Sequence, residues 1–68
     1  MEICYDKLWC LVRKNRMTKS KLASAAKISP YMMSKLSHDE PVSMETMMNL
    51  CKVFHCDIGE LMEVIEKE

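Results

Sequence analysis

The stretch Leu22-Ala23-Ser24-Ala25-Ala26-Lys27-Ile28-Ser29-Pro30-Tyr31-Met32-Met33-Ser34-Lys35-Leu36 decides the fold of this 68-residue chain. Leu22, Ala23 and Ala26 are apolar at helical spacing, and the pattern breaks at Lys27-Ile28. Ser29 followed by Pro30 is a helix start: the serine oxygen accepts an orphan N–H, and proline's missing N–H would be unpaired at that position anyway. Two helices crossing steeply over a three- to four-residue turn need a small residue where they meet, and Ala23 supplies it. Ile28, Met33 and Leu36 then lock the second of these helices against the first. Its outward face is predicted to carry Pro30, Tyr31, Met32, Ser34, Lys35 and His38.

Outward from this stretch, Cys4, Leu8, Leu11, Val12 and Asn15 form a helical stripe that ends among Arg13, Lys14 and Arg16, cations suited to a helix C-terminus. Thr18 stands where an N-cap belongs, starting a second helix of roughly eight residues. After the helix at Pro30, the polar run Ser37-His38-Asp39-Glu40 precedes Pro41, and Ser43 caps a fourth helix with Met47, Leu50, Cys51 and Phe54 inward. Asp57-Ile58-Gly59-Glu60 has capping-box spacing, and Ile58, Leu61, Met62 and Ile65 predict a fifth helix beyond it. The reading is an all-α chain of five short helices forming one domain over residues 1–68, with the helix pair at about 18–37.

Composition agrees with helices. One Gly and two Pro are few for a small β-barrel, which needs several tight turns, and 49% apolar with 29% charged residues is ordinary for a soluble globule. No run approaches the ~18 apolar residues of a membrane span. The start Met1-Glu2-Ile3-Cys4 carries no basic and apolar leader, so a cytoplasmic location with free, reduced thiols is expected. Formal net charge is zero, but it is unevenly placed: net −2 over residues 1–6, net +8 over 7–38 with no acid, and net −6 over 39–68.

Lys7-Leu8-Trp9, Met17-Thr-Lys-Ser-Lys-Leu-Ala23, Ile28-Ser29-Pro30, Ser34-Lys35-Leu36, Pro41-Val-Ser-Met-Glu45 and Cys56-Asp-Ile-Gly-Glu-Leu61, in this order and spacing, resemble the lambda-repressor/Cro-like helix-turn-helix regulators. The likeness is greatest to their short, single-domain bacterial or phage forms. The resemblance implies a five-helix lambda-repressor-like fold with the helix-turn-helix in the second and third helices, binding to double-stranded DNA, and homodimerisation. The chain also departs from the pattern. Lys27 replaces the usual turn glycine, Ser37-His38-Asp39-Glu40 replaces a basic segment ending in glycine, and Tyr31 and Met32 replace small polar residues.

On this reading the basic block faces the phosphate backbone. Thr18 and Lys19, with the start of the second helix, are expected to grip phosphate, and Lys21 or Lys14 to add a second contact. Ser29 caps the recognition helix, and Pro30, Tyr31, Ser34 and Lys35 reach the major groove, with His38 at the far end of that face. Lys35 is suited either to guanine O6/N7 or to a phosphate, and Tyr31 or Met32 to a thymine methyl. A sequence-specific regulator acting as a repressor is expected, dimerising through the fifth helix by way of Leu61, Met62, Val64 and Ile65.

The rival reading is a protein-interaction module, antitoxin-like or anti-repressor, on the same scaffold. It rests on Tyr31 and Met32 both lying exposed. An enzyme is not expected, because no Ser/His/Asp grouping, phosphate-cradling glycine loop or nucleophile–base pair is present. Cys51 and His55 stand one helical turn apart, but the remaining cysteine spacings fit no zinc ribbon or finger. No metal, cofactor or small-molecule ligand is expected.

Overall fold

Side-chain oxygens begin three of the helices. Thr18 Oγ1 accepts the Lys21 N–H at 3.1 Å, Ser29 Oγ the Met32 N–H at 3.2 Å, and Ser43 Oγ the Thr46 N–H at 3.2 Å. The computed structural model describes residues 1–66, so Lys67 and Glu68 of the expected domain lie outside the described residues. The elements run β1 (Glu2–Cys4), α1 (Asp6–Lys14), α2 (Lys19–Ala26), α3 (Pro30–Ser37), α4 (Met44–Phe54), a 3-10 turn (Ile58–Glu60) and β2 (Glu63–Ile65).

All four helices end in the same way. Arg16, Lys27, Asp39 and His55 sit in the left-handed region with φ of 54°, 55°, 55° and 51°. Each is followed by a residue whose N–H turns back to a carbonyl in the last turn: Met17 to Val12 at 2.9 Å, Ile28 to Ala23 at 2.8 Å, Glu40 to Lys35 at 2.9 Å, and Cys56 to Cys51 at 3.1 Å. Glycine usually occupies such positions, because a Cβ there costs about 1 kcal/mol. Here the single glycine, Gly59, lies in the 3-10 turn instead.

Each layer sends one leucine to the centre. Leu8 of α1, Leu22 of α2, Leu36 of α3, Leu50 of α4 and Leu61 after the 3-10 turn are all completely buried. Burying a leucine fully is worth about 2 kcal/mol, so these five hold the elements together. α2 packs most extensively on α4, and α3 packs on α2, which fixes the helix-turn-helix on a rigid base.

The expected fifth helix is not formed, and the chain is mostly helical rather than all-α. Asp57 and Glu60 do make the capping box, with the Asp57 N–H donating to Glu60 Oε2 at 2.9 Å, but it opens only the short 3-10 turn. Beyond it, Glu60, Glu63 and Glu66 would stack like charges on one helix face, and Val64-Ile65 are β-branched. A helix this short has too little to offset its nucleation.

The segment instead pairs antiparallel with β1, setting Glu2 opposite Ile65, Ile3 opposite Val64 and Cys4 opposite Glu63. This overturns two further expectations. Cys4 belongs to β1 rather than to the stripe of the first helix, and a dimer through a C-terminal helix has no helix to use. Among the described residues no helix is long and apolar enough to cross a membrane.

Candidate nucleic-acid interface

The α2–α3 turn is built by Lys27, Ile28 and Ser29. Lys27 turns the chain in the left-handed conformation, Ile28 is buried, and Ser29 caps α3 with Pro30 in its first turn. The turn glycine is therefore replaced without loss of the turn itself, at the cost of the Lys27 Cβ.

The start of α2 and the end of α3 meet. Lys19 Nζ donates to Ser37 Oγ at 3.2 Å and lies 5.0 Å from the centre of the Trp9 ring. A cation over an indole face is held by the ring quadrupole, so Lys19 is positioned from α1 and α3 together. Its remaining donors are available to a ligand. Thr18 and Ser29 each use an oxygen lone pair as a cap, which leaves their O–H groups able to donate.

On α3, Tyr31 is 68% exposed, and Lys35 Nζ stands 4.9 Å from its ring centre. Tyr31 and Lys35, one helical turn apart, thus form an aromatic–cation pair on the helix surface. Pro30 and Ser34 are exposed beside it. His38 is exposed, and its Nδ1 lies 2.7 Å from the Ser34 carbonyl; that oxygen can only accept, so Nδ1 carries a proton.

One expectation is corrected here. Met32 is not fully exposed but half-buried, packed against the core beside Met33. Lys7 of the basic block is exposed and donates to the Gly59 carbonyl at 3.0 Å, which ties the C-terminal turn to α1. Arg13, Lys14, Arg16, Lys19, Lys21 and Lys27 remain exposed and Lys35 half-exposed.

Three residues were missed by sequence reasoning. Trp9 and Ser37 position Lys19, and Tyr5 reaches the segment after α3. Trp9 stands in the Lys7-Leu8-Trp9 run of α1, but nothing local in that run shows that a lysine ten residues on will cover its ring. Among the described residues no three His, Cys, Asp or Glu side chains gather as a metal site.

Comparison with known proteins agrees with this arrangement. A crystal structure of the transcriptional regulator VanUg superposes with a TM-score of 0.91 at 30% identity, covering 97% of this chain and 88% of that one. No curated protein matches the chain. The model of the Cro/C1-type HTH DNA-binding domain matches residues 7–67, a span that takes in all of α1 but its first residue, α2 to α4 whole, both helix-turn-helix caps and the C-terminal strand. The chain belongs to the Cro/C1-type helix-turn-helix DNA-binding domain family.

Proposed function

We propose that this protein is a sequence-specific transcriptional regulator, acting as a repressor, that lays α3 from Pro30 onward in the major groove of double-stranded DNA. The observation that carries the reading is the exposed Tyr31–Lys35 pair on a helix whose flanks hold Lys19 and the capped start of α2. The VanUg protein, similar over nearly the whole chain, is a transcriptional regulator. Occluding a promoter needs only occupancy, so repression suits a domain of this size.

The contacts divide by role. Thr18 and Lys19, with the first-turn N–H groups of α2, take one phosphate, and Lys21 or Lys14 a neighbouring one. Ser29, through its free O–H, and His38, through Nε2, flank the groove-facing residues Pro30, Tyr31, Ser34 and Lys35. Lys35, held over Tyr31, reads guanine, and Tyr31 offers its ring edge to a thymine methyl. Met32 supports α3 from below and touches DNA only at the margin of its exposed surface.

One module reads few base pairs, so two copies on half-sites about 34 Å apart are part of the proposal. Val64 at 60% and Ile65 at 39% exposure on β2 are apolar groups the monomer leaves uncovered, and they support self-association. Sedimentation at micromolar concentration tests this; a strict monomer without DNA moves assembly onto the operator.

The protein-docking alternative loses ground, because Met32, half of the apolar pair on which it rests, is partly taken into the core. Selection of duplexes from a random pool, followed by gel shifts at about 50 and 200 mM salt, tests the reading. The regulator predicts a recovered motif that outcompetes scrambled DNA at both salts. Weak binding to every duplex, lost smoothly with salt, would favour the docking module.

A further inference from the structure

The end of α4 differs in chemistry from the other three helix ends. The same backward N–H closure pairs Val12 with Met17 after α1, Ala23 with Ile28 after α2 and Lys35 with Glu40 after α3, but after α4 it pairs Cys51 with Cys56. In this motif the two closing residues send their side chains to one side of the helix end, where an apolar contact is usual. Here the two positions carry thiols, which interact with each other and line one groove, across the left-handed His55 with its φ of 51°.

The thiols are half-buried and open onto a shallow groove, which Met48, one turn before Cys51, also lines. Met48 is 65% exposed, so packing leaves its thioether accessible. Burial pushes both thiols up; next in weight, Asp57 raises Cys51 and Cys51 raises Cys56. The carboxylates of Asp57 and Glu60 bear on both sulfurs, and Lys52 also lines the groove.

The groove therefore offers two ionisable sulfurs and one neutral sulfur, all soft donors. Zinc in a structural site takes four ligands, and His55 does not join the two thiols in a group of three among the described residues. A soft monovalent ion is satisfied by two or three sulfurs. We propose that Cys51 and Cys56, with Met48 as a weaker third donor, form a binding site for copper(I). Binding forms two Cu–S bonds and releases both thiol protons to solvent, turning two neutral thiols and one cation into a bis-thiolate complex of charge −1. The groove is lined by residues of α4 and the turn after it and by none of α2 or α3, so the site stands whether or not the DNA reading holds.

The test titrates copper(I) anaerobically into the reduced full-length protein against the chromophoric chelator bicinchoninate, with native mass spectrometry for stoichiometry. The proposal predicts one copper(I) per chain withheld from the chelator. Cys51→Ser and Cys56→Ser each abolish retention, Met48→Leu weakens it by about tenfold, and Cys10→Ser leaves it unchanged. Far-UV circular dichroism shows that each variant is folded. The proposal is overturned if wild type yields its copper to the chelator, if retention survives Cys51→Ser or follows Cys10, or if zinc is held as tightly.

Discussion

The hydroxyl of Tyr5 donates a 2.7 Å hydrogen bond to the main-chain carbonyl of Glu40. The Tyr5 N–H also donates to Asp39 Oδ1 at 3.1 Å, and the side chain is almost wholly buried at 1% exposure. The acidic run after α3 is therefore a clasp between the end of that helix and the junction of β1 with α1. Asp39 accepts a main-chain donor through its carboxylate, whereas Glu40 contributes its main-chain carbonyl.

Tyr5→Phe removes the donor and leaves the ring in place. We expect a loss of about 1 kcal/mol, the net worth of one hydrogen bond. Denaturant unfolding checks it: the midpoint falls while the slope stays as in wild type. An unchanged midpoint means water at Glu40 replaces the phenol without cost.

Lys27→Gly is expected to stabilise. The left-handed turn between α2 and α3 carries a Cβ at φ 55°, and removing it relieves about 1 kcal/mol, partly offset by the greater freedom of glycine when unfolded. Lys27→Ala keeps the Cβ and should leave the urea midpoint where it is. A midpoint that rises equally in both variants points to charge rather than backbone.

Stability should fall in alkali. Burial, then the Asp39 charge, hold the Tyr5 phenol above its ordinary value of 10.0, and burial holds the Cys51 and Cys56 thiols above 9.0. The folded chain thus retains protons that the unfolded chain releases, so this stabilisation is complete below about pH 9 and lost as pH rises through the folded values. Unfolding midpoints at about pH 7, 9 and 10.5 trace the decline. Tyr5→Phe combined with Cys51→Ser and Cys56→Ser should flatten it.

Lys35→Ala separates base reading from phosphate contact. With Lys35 stacked on Tyr31, we expect the ratio of affinities for selected over scrambled DNA to drop by roughly 1–3 kcal/mol. The competition gel shift reads that ratio directly. If both affinities fall together and the salt slope shrinks by about 1, Lys35 meets a phosphate.

The local signals were legible in sequence, and the long-range pairings were not. Thr18, Ser29 with Pro30, and Ser43 each announce a helix, because a cap needs only one oxygen two or three residues before the N–H it accepts. Asp57 and Glu60 announce a turn in the same way, but a capping box marks where a turn starts and not how far it runs. The strand that follows depends on Glu2–Cys4, some sixty residues earlier. The apolar spacing of Ile58, Leu61, Met62 and Ile65 could not reveal that partner. At the site, the capped starts of α2 and α3 and the exposure of Tyr31 were readable, whereas Trp9 beneath Lys19 and the Lys7–Gly59 tie belong to packing across the fold. Met32 was misplaced because α3 is only eight residues long, too few for a period to fix how wide its apolar face is: both adjacent methionines are half-buried against the core.

The central claim, that α3 and the start of α2 meet DNA, is tested most directly by amide chemical shifts in labelled protein titrated with a duplex recovered by selection. The account predicts that the largest changes fall on Thr18–Lys21 and Ser29–Lys35, while α4 and β2 move little. Largest changes on α4 or β2, with residues 29–35 unmoved, would contradict it.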